Sequence, residues 1–132
     1  MAEVYTSSMM LTPREQDKLA IYQIAEIARR RQARGVKLNV PESIALICEA
    51  ALEAARDGKS VPEATSIGEQ LLSADQVMDG VAEVVTQVQV EGTFDDGTQL
   101  VTCVNPITHT TKDTQDTAQD QARHHKSGQR KK

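Results

Sequence analysis

The stretch from Pro41 to Asp57 constrains this chain more than any other. Ile44, Ala45, Ile47, Cys48, Ala51, Leu52 and Ala55, joined by Leu46, Ala50 and Ala54, coat more than half of a helix in apolar side chains. Only Glu49, Glu53 and Arg56 remain as a narrow polar stripe. A surface helix carries a single apolar stripe, so a helix of this kind needs neighbours on several sides. The rest of the chain has to be arranged as its cover.

Start and stop signals bracket that helix and its neighbours. Asn39-Val-Pro-Glu42 has the spacing of an N-cap, and Asp57-Gly58-Lys59 a stop. Upstream, Thr12 can cap, Pro13 suits the first helical position and Glu15 completes a Thr-x-x-Glu box. The spacing therefore predicts a first helix ending near Gly35, a residue suited to a helix C-terminus. Ala20, Ile21, Ile24, Ala25, Ile27 and Ala28 share one broad face of it, with Lys18, Gln23, Glu26, Arg29 and Arg30 opposite. Pro62 opens a third helix through Leu72, and Ser73-Ala-Asp-Gln76 has the cap spacing of a short fourth ending at Gly80.

From Val84 the period changes to two. Val88, Val90 and Phe94 alternate with Gln87, Gln89, Glu91 and Thr93, Asp95-Asp96-Gly97 supplies a turn, and Leu100 to Val104 form the return strand. The predicted fold class is α+β: a helical body of three to four helices followed by one antiparallel β-hairpin. Two strands alone are marginal in water, and the second is apolar on both faces, with Leu100 and Val104 on one and Val101 and Cys103 on the other. One Phe, two Tyr and no Trp limit what the core can bury, which implies packing against other subunits.

The 132 residues fit one folded unit, 9–108, between a flexible extension over 1–8 and a tail over 109–132. That tail has two alanines as its only hydrophobic residues, so it is expected to be disordered. It holds six Lys or Arg and three Asp, a net +3 that leaves −7 on the first 108 residues of a chain whose total is −4. An acidic body argues against nucleic acid as partner. No run of eighteen apolar residues and no secretory signal pattern is present, so a cytoplasmic location without a membrane segment is the expectation. Cys48 and Cys103, far apart within apolar segments, suit buried thiols better than a disulfide.

A search for catalytic chemistry finds no site: no catalytic residue, no cofactor-binding residue and no metal ligand. His109, His124 and His125 all fall in the polar tail, and neither a nucleophile elbow nor a phosphate-binding glycine loop occurs. Asp95-Asp96 reads as turn chemistry and Glu49 with Glu53 as a solvated helical stripe. Arg29, Arg30, Arg31 and Arg34 cluster at a helix end, where they can complement the helix dipole or pair with carboxylates across an interface.

Three stretches in order, Leu11–Leu19, Arg34-Gly-Val-Lys-Leu-Asn-Val-Pro-Glu42 and Phe94-Asp-Asp-Gly-Thr98 running on to Ile107, resemble the gamma subunit of bacterial urease. Ala55-Arg-Asp-Gly-Lys59 and Asp75-Gln-Val-Met78 strengthen the likeness, which spans about Met9 to Thr108. The resemblance implies a non-catalytic structural subunit of an enzyme that hydrolyses urea to ammonia and carbamate. It also implies alpha and beta partner subunits in a trimer of heterotrimers. Nickel would be held by the alpha subunit, with no cofactor on this chain. The interface expected here comprises Arg29, Arg30, Arg31, Arg34, Ile44, Ile47, Leu52, Val101 and Cys103. The other reading is a small helical adaptor that binds acidic partners through Arg29–Arg34 and the basic tail.

Overall fold

The computed structural model describes residues 10–108. The predicted extension over 1–8 and the disordered basic tail over 109–132 lie outside the described residues. Helix α1 spans Pro13–Ala33, α2 Val40–Arg56 and α3 Val61–Gln70. A two-residue strand β1 (Leu72–Ser73), a 3-10 turn (Ala74–Gln76) and a short helix α4 (Val81–Val84) follow. Strands β2 (Gln87–Phe94) and β3 (Gly97–Val104) form the antiparallel hairpin, and β4 is Ile107–Thr108.

The helix ends are built as their residues suggest. The Thr12 side chain accepts the Glu15 N–H, and Ser60 accepts that of Glu63. Asn39 and Glu42 form a reciprocal capping box at 3.0 Å in each direction. At the end of α1 the Gly35 N–H bonds to Gln32 O and the Val36 N–H to Arg31 O; Gly58 and Lys59 repeat the pattern on Ala55 and Ala54. Both ends turn on a left-handed glycine, Gly35 at φ 76° and Gly58 at φ 80°.

Helix α2 forms the centre, packed by α1, α3 and β2, while α3 also covers β3. Ile47 is fully buried, and Ala45, Leu46, Cys48, Ala51, Leu52, Ala54 and Ala55 join it in the core. From α1 only Ala25 and Ala28 are buried, with Ile21 packed beside them. Directly paired residues of an antiparallel hairpin share a face. Val88 with Cys103 and Val90 with Val101 therefore face the helices, and Glu91 with Leu100 and Gln87 with Val104 face outward. Asp95 and Asp96 make the turn, and Gly97 supplies its positive φ of 115°.

Two features depart from the sequence reading. The fourth helix does not run from Ser73 to Gly80. Val77 is extended instead, because it bridges to Leu38, with the Leu38 N–H on Gln76 O and the Met78 N–H on Leu38 O. Gly80, at φ 86°, then opens α4 rather than ending a helix. The hairpin is also not the only pairing: β1 and β4 pair in parallel, Leu72 beside Ile107 and Ser73 beside Thr108. Pairs this distant in sequence are two residues long and carry no period that a local pattern could reveal.

Glu42, almost fully buried, is a charged member of this interior. Its carboxylate accepts the Asn39 N–H and, at 2.8 Å, an Arg31 Nη1–H. Burial alone would raise its pKa; the bonds from Asn39 and Arg31 outweigh that and hold it below the ordinary carboxylate range. A depressed carboxyl stabilises the fold above its unfolded pKa and loses that contribution as pH falls through the folded one. Glu42→Gln is expected to flatten the acid side of the stability profile below about pH 4.3, the unfolded Glu value. Glu42→Ala should cost about 1–3 kcal/mol at neutral pH, as for other buried charge-assisted bonds. Thermal unfolding across pH reads both.

Gly68 faces a second tight contact. A Cβ there would lie 2.6 Å from Cys103 Sγ and 3.5 Å from Ile47 Cγ2. Gly68→Ala should destabilise by about 1–3 kcal/mol through overpacking. Adding Cys103→Ala should recover part of that loss, giving a non-additive double-mutant cycle in denaturant unfolding.

Candidate subunit interface

The arginine cluster sits at the C-terminal end of α1, where the helix dipole favours positive charge. Two of its members are occupied inside the chain. Arg29 pairs with Glu26 on its own helix and Glu49 on α2, and Arg31 pairs with Glu42. Among the described residues Arg30 meets Glu26, at 3.4 Å, with its side chain 73% exposed. Arg34 is exposed and donates to Arg30 O at 3.4 Å. Within this cluster Arg30 and Arg34 are therefore the least engaged by carboxylates of the described residues.

Of the stripe that their spacing suggested to be solvated, Glu49 is half-buried and Glu53 remains exposed. Together with Glu42 they face α1, where Glu49 takes Arg29 and Glu53 accepts the Tyr22 O–H at 2.6 Å. Burial, then the hydrogen bond to Glu53, raises the Tyr22 phenol well above its usual range. The pattern was visible as three carboxylates on one helical face, and the missing information was which helix they would meet.

The apolar residues named from sequence divide sharply. Ile47, Leu52, Val101 and Cys103 are enclosed by this chain's own elements and present almost no surface, whereas Ile44 is 36% exposed. Surface apolar groups lie elsewhere. Ala20, Ile24 and Ile27, at spacings of four and three on α1, are exposed beside the seam that Ile21, Ala25 and Ala28 make with α2. Leu100 and Val104 are about half exposed on the outer face of the hairpin. The sequence pattern had grouped Ile24 and Ile27 with the core-facing residues, because it cannot tell which half of a broad face a neighbour covers.

Chemically active groups are not assembled anywhere among the described residues. No three His, Cys, Asp or Glu side chains converge as metal ligands there, so the described donor set does not fit a nickel centre. An open cleft of about 560 Å³ between α1, the end of α2 and the hairpin turn is lined by Lys18, Tyr22, Glu53, Arg56, Phe94 and Asp95. It holds neither a histidine nor a thiol. Burial, with Cys103 nearby, pushes the Cys48 thiol up to about 11; burial and then Glu69 raise that of Cys103. Neither is a nucleophile near neutral pH.

The family described as "Urease, gamma subunit" matches residues 9–107. The chain belongs to the urease gamma-subunit family. It is 60% identical over 99 residues to a protein from a Ruegeria species named "Urease subunit gamma", covering 75% of this chain and 99% of the relative. A second protein of the same name, from Corynebacterium kroppenstedtii, is 58% identical over 101 residues, 76% of this chain and all of the relative. This urease gamma-family chain is thus a structural subunit of a hydrolase complex rather than a free-standing adaptor. No helix among the described residues is long and apolar enough to cross a membrane.

The thiols give a direct check of the packing around α2. At pH 8 a thiol with a pKa near 11 is about 0.1% thiolate, so native Cys48 should resist iodoacetamide. Denaturation should release both cysteines for rapid labelling, as read by mass spectrometry.

Proposed function

We propose that this chain is the assembly subunit of a urease in the cytoplasm. An alpha subunit would hold the nickel and a separate beta chain would complete a trimer of heterotrimers. The observation that carries this reading is the match over essentially the whole length of two relatives named as gamma subunits. It is supported by apolar surface left open on α1 and on the hairpin, where exposed side chains at regular spacing suit a protein partner.

Within the expected interface, Arg30, Arg34 and Ile44 have surface to offer, joined by Ile24 and Ile27. Arg29 and Arg31 support it indirectly: by pairing with Glu49 and Glu42 they lock α1 on α2 and so set the angle at which α1 is presented. Ile47, Leu52, Val101 and Cys103 would act through the core beneath.

Purification of the tagged chain under native conditions should bring down two further chains and urea-hydrolysing activity, with nickel on the largest. The chain alone should hydrolyse no urea. An isolated chain that bound nickel and hydrolysed urea would overturn the assignment. Ile24→Asp with Ile27→Asp should reduce recovery of the partners at least tenfold, on the usual cost of placing charge in an apolar contact. Circular dichroism should stay unchanged, because both side chains are already exposed.

A further inference from the structure

One row of side chains on the outer side of α1 keeps alternating steps of four and three: Ala20, Ile24, Ile27, Arg31 and Arg34, the last at the C-cap. All five are exposed among the described residues, Ile24 by 38% and Ile27 by 45%. The row begins apolar, ends in cations and rises about 21 Å from Ala20 to Arg34. Steps of four and three are those at which two helices interleave their side chains, whereas a strand offers contacts at a uniform step of two. Ala20, with a single methyl group, lets a neighbouring backbone come close.

The charges along α1 set the direction. Four arginines at its end, Arg29, Arg30, Arg31 and Arg34, meet three carboxylates, Glu26, Glu42 and Glu49, which leaves an excess of positive charge. Arg34 is the member without an ion pair among the described residues; its guanidinium donates to Arg30 O. A partner therefore has to bring negative charge to this end. Helices carry acids in the first turn and bases in the last in answer to the macrodipole, as α1 itself does with Glu15 and with Arg30 and Arg31. A second helix laid antiparallel presents its acidic first turn to Arg34 and sets the two dipoles in opposition. A second copy of α1 does not serve, because the charges of its opening residues Arg14, Glu15, Asp17 and Lys18 cancel.

We propose that Ala20, Ile24, Ile27 and Arg34 form a seam for one α-helix of a partner chain in the complex. That helix runs antiparallel to α1, is apolar at steps of three and four, and carries Asp or Glu in its first turn against Arg34. Arg31, held by Glu42, occupies the remaining place in the row. The apolar steps fix the register and the charged end fixes the direction, so a helix of opposite polarity would set its basic last turn against Arg34. The seam depends on the subunit reading, and it adds which element of the partner docks and how it runs.

Photo-crosslinking in the natively purified complex tests it, with a leucine-sized diazirine side chain placed in turn at positions 20, 24 and 27. Adducts are expected on one segment of one partner chain, moving three or four residues toward that chain's N-terminus at each step, with Asp or Glu further on in the same direction. Adducts that move the other way, that fall on alternate residues of an extended segment, or that lie on this chain or a second copy of it would overturn the seam. So would no adduct while partner chains copurify. Arg34→Glu should lower recovery of the partner chains about tenfold by setting like charges together, and Arg34→Lys should retain it; equal recovery with both would also overturn it. Absence of any copurifying partner would instead sink the subunit reading, and the seam with it, so the two failures are told apart in one preparation.

Discussion

Everything in the described fold is organised around burying α2. Ten of its seventeen residues are buried, and no single neighbour could cover that much circumference. Each covering element approaches it through a residue with little or no side chain. Helix α1 does so through Ala25 and Ala28; α3 through Gly68, beside Ile47; and β2 through Gly92, where a Cβ would lie 3.4 Å from Ala55 Cβ and 3.8 Å from Leu52 Cδ2. Close approach of three elements compensates for a core nearly without aromatic rings. A buried Leu or Ile contributes about 1.5–3 kcal/mol, so a core of small aliphatics depends on leaving few gaps.

The polar stripe of α2 serves the same arrangement. Glu42, Glu49 and Glu53 receive Arg31, Arg29 and Tyr22 from α1, which sets the register of the two helices. No buried side-chain nitrogen or oxygen among the described residues lacks a partner. Because α1 turns Ile21, its small residues and two of its arginines toward α2, Ile24, Ile27 and the remaining cations stay on the outside. One helix is thereby divided into an inner seam against α2 and an outer stripe of exposed side chains.

Much of the fold was legible in the sequence because the signals were local. Thr12, Asn39 and Ser60 cap the three longer helices, the glycines at 35 and 58 end two of them, and Asp95-Asp96-Gly97 turns the hairpin. The extended bridge at Val77 and the parallel pairing of Leu72–Ser73 with Ile107–Thr108 were not legible. Both depend on segments that meet only after α2 has been covered.

The interface residues show the same limit. Composition and helical spacing nominated arginines and aliphatics as contact candidates; Ile47 and Val101 are sealed inside, while Ile24 and Ile27 are exposed. The sequence by itself determined the element order, the helix ends, the α+β class and the family, since capping, periodicity and motif identity act over a few residues. Only the tertiary structure decided which half of each apolar face was spent inside and which arginines were neutralised, because burial and ion pairing are properties of the partner that a side chain meets.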